Sequence, residues 1–166
     1  SEYILQPNDK LLITVADCAL RRDIYQRLEK YRVPFFSYVH PTAFIARSAK
    51  VGEGVIVGPH CVVSAWCQVS NNVALNIHCG VGHGADVGCH SVMSPYSVIN
   101  GDCRLGEAVF LGSRVTLNPK ITVGDFTLID AGSVLREHIP AFSIVSQRVK
   151  QTVMENRILK KRLDQN

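Results

Sequence analysis

The chain has 166 residues, 46% of them hydrophobic, with 18 Lys and Arg against 14 Asp and Glu for a formal net charge of +4. That length suits one domain or one domain with a small appendage. The weak charge excess gives no nucleic-acid signature, and no run of 18 or more apolar residues offers a membrane span.

Six cysteines occur without a CxxC pair, which argues against a cysteine-built zinc site. Four of them, Cys61, Cys67, Cys79 and Cys103, recur in one slot of the repeat described below, where a free thiol behaves as a compact hydrophobe. With no secretory signal visible, the expectation is a cytoplasmic protein with reduced thiols.

The first 41 residues read as a strand–helix–strand segment of partial Rossmann character. Leu11–Ala16 (LLITVA) is an apolar run, a strand candidate. Asp17 sits at an N-cap position before CALRRDIYQRLEKY, in which Leu20, Ile24 and Leu28 mark one helical face. Phe35–Val39 reads as a second strand. No GxGxxG is present, so nothing here identifies a dinucleotide site.

Residues 42–139 follow a different rule. From Ile45 to Leu135, every sixth residue is aliphatic, for sixteen consecutive positions. Helices repeat at 3.6 and strands at 2, so neither alone keeps period six. A chain wound into a flat-sided coil does, because each side places one apolar residue inside; this is a hexapeptide parallel β-helix. The residue after each aliphatic one is small or turn-favouring (Gly52, Gly58, Ser64, Gly82), as expected at corners with unusual backbone angles. Four residues after each aliphatic comes a second compact inward candidate, such as Val55, Cys61, Ala85 or Ser97.

The beat ends at Pro140, and residues 140–166 form a tail. Positions 148–163 (RVKQTVMENRILKKRL) read as a basic amphipathic helix, expected to pack on the protein's own oligomer rather than on a membrane.

The segments ITVADCALRRDIYQRLEKY and VHPTAFI, then GHGADVG and NPKITVGDFTLIDAGSVL, resemble the hexapeptide-repeat sugar acyltransferases of bacteria. The likeness is strongest to the branch with sialic-acid O-acetyltransferases and nucleotide-amino-sugar N-acetyltransferases. It implies a left-handed parallel β-helix of eighteen residues per turn, an exception to the right-handed crossover rule. It further implies a homotrimer with three sites at the clefts between subunits. Each would transfer an acetyl group from acetyl-CoA to an amine or hydroxyl of a sugar, nucleotide-linked in the relatives, for surface glycan synthesis.

By this resemblance His83 is the catalytic base, for an imidazole takes a proton at neutral pH while a sugar amine or hydroxyl attacks a thioester. Relatives follow that histidine with an acid; here Gly84 stands there, so Asp102, eighteen residues on, is the candidate helper, with Asp86 as another nearby acid. Ser113 and Ala131 match positions that contact CoA through the backbone, Arg114 and Lys120 are candidates for its phosphates, Gly101 is a further candidate for acetyl-CoA, and Val92 stands where some relatives place a histidine near the acetyl group. Ala16, Asp17 and His78 match substrate positions. Ala16 replaces a glycine, and the relatives' glycine-rich turn does not precede it, so the nucleotide part of the substrate is the less secured expectation.

Two other readings stay open. His60, His78 and His83 have part of the spacing of γ-class carbonic anhydrases, which share this coil and bind zinc, although a third ligand in the expected strand is lacking. Alternatively the coil is a module without catalysis. The acyltransferase reading expects no metal.

Overall fold

A computed structural model describes residues 6, 8–32 and 34–147; the tail helix expected over 148–163 lies outside them. The chain winds as a left-handed parallel β-helix of three flat faces. Each strand has two residues, and strands stack in perfect register eighteen residues apart, as in Val92 on Phe110, Ile99 on Leu117 and Leu105 on Val123. Only the last turn is shorter, where Leu128 meets Ile144. The first face has seven strands, the second six and the third five. Corner one joins the first face to the second, corner two the second to the third, and corner three the third back to the first.

The sixfold aliphatic series points inward and is dry. Val57, Leu75, Met93, Leu111 and Ile129 form one column, with equivalent columns behind the other faces. The second inward series is equally buried, and its polar members, Ser133 excepted, bond to the neighbouring coil or their own corner. Cys61 Sγ donates to Asn76 O at 2.7 Å, Cys67 Sγ to Gly82 O at 2.9 Å, and Ser97 Oγ to Gly112 O at 2.7 Å. A thiol or small hydroxyl in this slot fills the corner and satisfies a carbonyl in the same step. All six cysteines are free.

The corner chemistry differs from the sequence expectation in one respect. The unusual backbone angle falls three residues after each aliphatic, not one. His60, Trp66, Asn72, His78, Gly84, His90, Tyr96 and Asp102 all lie at φ between +55° and +64°. The small residue immediately after the aliphatic answers a different need, the close approach of the next coil. A Cβ on Gly82 would lie 2.6 Å from the carbonyl carbon of Asn100.

The lead-in also differs. Leu11–Ala16 forms no strand; Leu11 makes only an isolated bridge with Phe35. Of Phe35–Val39, Tyr38–Val39 alone is a strand, and it pairs with Ile56–Val57 as the first rung of the coil. A single residue pair with no further partners is too short to make a sheet, so no Rossmann-like unit forms among the described residues. The helix α1 (Cys18–Glu29) is as expected, with Leu20 N donating to the Asp17 carboxylate at 2.9 Å. Of the expected face, Ile24 and Leu28 pack partly buried against Ile13, Tyr25 and Phe35, but Leu20 is 49% exposed, and the buried side chains are Cys18, Arg21 and Tyr25.

The seat explains the choice, because α1 lies on corner three, where Asn72, His90 and Glu53 offer polar partners beside the apolar Ala108 and Phe126. Arg21 is fully buried and reaches Asn72 O (2.7 Å), Ile13 O (2.6 Å) and Val15 O (3.0 Å). Burial lowers its pKa to about 10. Tyr25 stacks on Phe35 and donates to Glu53 Oε1 at 2.6 Å. Asn72 Nδ2 donates to Arg21 O and meets His90 Nδ1 at 2.9 Å.

His90 therefore sits as a neutral acceptor under the helix. Burial depresses its pKa below the ordinary value of 6.5, with Arg22 and Arg21 adding to the effect and Glu107 opposing it. Below the ordinary value, the unfolded chain binds a proton that the folded chain resists, so stability falls with pH there. Melting temperature is expected to be flat above about pH 6.5 and to decline as the pH drops toward the depressed value. His90→Gln should flatten part of that decline; an unchanged slope in the variant would show that His90 is not its source.

Candidate functional site

His83 lies at corner two. Gly84 N donates to Ala65 O (3.0 Å), Asp102 N to His83 O (2.9 Å) and Lys120 N to Gly101 O (2.9 Å), so the turns of this corner stand directly above one another. The His83 ring lies across the face of Gly101: a Cβ there would be 2.5 Å from Nε2 and 3.1 Å from Nδ1. Neither ring nitrogen makes a hydrogen bond among the described residues, so whichever nitrogen is unprotonated is open to a substrate proton. The Gly101 N–H likewise meets no backbone acceptor.

Asp102 stands over Gly84, one coil on, as eighteen-residue spacing requires. Its Oδ1 occupies the space a Gly84 side chain would need, 2.5 Å from the Cβ position. It makes no hydrogen bond to the His83 ring. The adjacent second face is largely apolar outside as well as inside, with Phe44, Val62, Gly80, Val98 and Val134 in its outward row beside a single polar member, Thr116. A shallow depression of about 160 Å³ beside His83 is lined by Val62, Gly80, Gly82, Val98 and Asn100. The third face, by contrast, shows Lys50, Gln68, Asp86, Arg104 and Thr122, with Asp86 and Arg104 ion-paired.

The other sequence-derived candidates lie elsewhere. His78, Ser113, Arg114 and Ala131 are on corner one. There His60 stacks on His78 and His78 on Tyr96, each at 4.9 Å, and the Arg114 guanidinium lies 4.8 Å above the Tyr96 ring. His60 does lie beneath His78, but His83 is on the next corner, so the three imidazoles do not converge within the chain. Among the described residues no group of three or more His, Cys, Asp or Glu could hold a metal ion.

Ala16 and Asp17 line a cleft of about 380 Å³ on the first face, with Cys18, Ala108, Phe110, Phe126 and Leu128. Phe110 and Phe126 were not signalled by the hexapeptide pattern, because they are outward residues that acquire a role only once α1 covers them. Burial pushes the Cys18 thiol up to about 11, so it is no nucleophile. Val92, expected at the acyl donor, is 1% exposed beneath Cys18 and Ala108, on the side of the prism opposite His83. One chain thus divides the expected site among two corners and a face.

Residues 36–141 match the family model of the GMPPB C-terminal domain. The chain belongs to this family. Solved structures carry the comparison of this GMPPB C-terminal domain family member further. PerB from Caulobacter crescentus, bound to CoA and GDP-perosamine, is 25% identical with a TM-score of 0.80, over 81% of this chain and 65% of PerB. The acetyltransferase domain of PglB from Neisseria gonorrhoeae FA1090, bound to acetyl coenzyme A, is 25% identical with a TM-score of 0.82, over 89% and 73% of the two chains. Among curated proteins, the bifunctional protein GlmU of Acetivibrio thermocellus is 28% identical over 137 residues, 76% of this chain and 27% of GlmU. The acyl-[acyl-carrier-protein]–UDP-N-acetylglucosamine O-acyltransferase of Rickettsia canadensis is 27% identical over 97 residues, 58% of this chain and 37% of that enzyme. The chain spans roughly a third of the length of such curated relatives. The resemblance to hexapeptide-repeat acyltransferases holds in sequence and in fold, and no helix among the described residues is long and apolar enough to cross a membrane.

Proposed function

We propose that the chain transfers an acetyl group from acetyl-CoA to an amine or hydroxyl of a nucleotide-linked sugar, with His83 as general base. The observation that carries this is the His83 imidazole, laid over Gly101 with both nitrogens free, beside an apolar face. A His83 ring nitrogen takes the proton as the acceptor nitrogen or oxygen attacks the thioester carbonyl. The new C–N or C–O bond forms, the C–S bond breaks, and the CoA thiolate leaves with the proton returned from the imidazolium. The unengaged Gly101 N–H is the oxyanion donor. Asp102 steadies the positive charge on the ring from the coil above.

Assembly completes the site. Phe44, 60% exposed, and Val62 and Val134 leave the second face apolar, which favours covering by another copy. In a homotrimer the first-face cleft of one copy, with Ala16 and Asp17, meets corner two of the next, and the divided candidates come together. Ser113, Arg114, Lys120 and Ala131 line the path for CoA, the two cations facing its phosphates. His78 is left to the acceptor side. The relatives' ligands, GDP-perosamine with CoA and acetyl coenzyme A, support the substrate class. Six free thiols support a cytoplasmic enzyme acting at a step of surface glycan synthesis.

The test is binding and release. Acetyl-CoA at a hundred times its Kd is expected to stabilise the protein by about 2.7 kcal/mol, and UDP- or GDP-linked amino sugars should trigger thiol release. No melting shift with acetyl-CoA and no thiol released with any acceptor would leave a coil without catalysis.

A further inference from the structure

The three corners differ in what their side chains do. At corner one, His60, His78, Tyr96 and Arg114 stack on one another. At corner three, Asn72 and His90 are tied together beneath α1. At corner two, Trp66, His83 and Asp102 project without partners among the described residues. The Trp66 indole is 75% exposed, with no ring contact and no hydrogen bond, and the Asp102 carboxylate makes neither a hydrogen bond nor an ion pair.

These groups are placed together by the coil. Trp66, Gly84 and Asp102 occupy the same left-handed slot on successive turns, at φ of 57°, 63° and 59°. The backbone N–H of Trp66 is fixed by Ser48 Oγ at 3.1 Å. Between indole and carboxylate, Gly84 contributes no side chain, and its Cβ position meets only the Asp102 carboxylate within 4 Å. The result is a ledge with an aromatic floor, a carboxylate above and the His83 ring alongside.

A pyranose has one apolar C–H face and a rim of hydroxyl or amino groups. Its C–H hydrogens carry partial positive charge, which suits the negative face of an indole, while the rim donates to a carboxylate. We propose that Trp66 is the platform on which the acceptor sugar lies, so that Asp102 receives its hydroxyls or ammonium and the reacting group points to His83. Trp66 is then a specificity-determining residue. This deepens the acetyl-transfer reading and rests on it for the identity of the reacting group, but not for the binding of sugar.

Trp66 is the only tryptophan of the chain, so its emission reports the platform directly. The probes are UDP- and GDP-linked 4-amino hexoses, with UDP, GDP and CoA alone as controls. At least one amino sugar is expected to quench or shift the emission saturably, and the controls are not. Trp66→Ala is expected to raise KM for that acceptor about tenfold or more, with the acetyl-CoA Kd within about twofold. Trp66→Tyr should recover most of the loss, because it restores an aromatic floor. If Trp66→Ala keeps the acceptor KM, or no sugar moves the emission of a protein that turns one over, the platform is overturned and acetyl transfer stands. If Trp66→Ala dissociates the assembly in sedimentation with acceptor KM unchanged in the remaining oligomer, Trp66 is a subunit contact and the platform is again overturned. If a sugar moves the emission and no thiol is ever released, the platform holds and the transferase reading falls. If neither occurs, both fall.

Discussion

His83→Asn is expected to lower kcat about 10²–10⁴-fold while leaving the melting temperature where it was. The two effects separate because the ring does one thing. It is exposed, its nitrogens bond to nothing among the described residues, and the coil beneath is held by backbone ladders and by the inward aliphatic columns. Removing it therefore opens no cavity and orphans no partner, the usual causes of large destabilisation. Asparagine retains a polar tip near the same place but cannot take a proton from an attacking amine or hydroxyl. The acetyl-CoA Kd should change little, since the lost interaction belongs to proton transfer rather than to holding the donor. Steady-state kinetics with thiol detection, beside a melting curve, checks both halves. A variant with wild-type turnover would move the base to another residue.

The fold was legible because its physics is periodic. A three-faced coil must put one aliphatic residue inside per face, so the beat from Ile45 to Leu135 admits few other structures. The corners were legible only in part. Gly82 looked like a residue chosen for backbone freedom, whereas its φ is ordinary and the need is the close approach of Asn100. The position that does require the left-handed region holds Trp66, His78 and Tyr96, residue types that do not announce a turn. The helix was found but its face was misread in part. An apolar stripe predicts an apolar seat, and Ile24 and Leu28 find one in Ile13 and Phe35, but corner three also offers Asn72 and Glu53, which engage Arg21 and Tyr25 and leave Leu20 outside.

The site was harder to read for a reason of scale. Register alone put Asp102 over Gly84, because stacking is a property of a single chain. Nine residues of sequence are half a turn, however, so Val92 and His83 look close in sequence and lie on opposite sides of the prism. Trp66 carries no signal in the hexapeptide pattern, because its slot is neither the aliphatic nor the small one. Counting eighteen residues back from Gly84 would have found it, had the left-handed slot been recognised as the one that projects outward.

Gly101→Ala tests whether the geometry of the base matters apart from its presence. The added methyl would meet first of all the atoms of one residue, His83, at 2.5 Å from Nε2 and 3.1 Å from Nδ1. Carbon does not approach nitrogen that closely, so the ring must swing aside. It is the free end of an exposed side chain, and moving it costs the fold little. Gly101 has no positive φ, so alanine is unstrained there and should shift stability by no more than about 1 kcal/mol, with the lost chain entropy of glycine on the favourable side. Catalysis is less tolerant: a base displaced by about 1 Å can lose on the order of 10²-fold. The expected result is a protein that folds, binds acetyl-CoA and turns over about 10²-fold more slowly. The double variant Gly101→Ala, His83→Asn should then be no slower than His83→Asn alone, because both changes remove the same contribution and effects within one unit do not add. Multiplicative losses in the double variant would mean that the added methyl harms the reaction apart from the ring, by obstructing the backbone N–H that alanine retains.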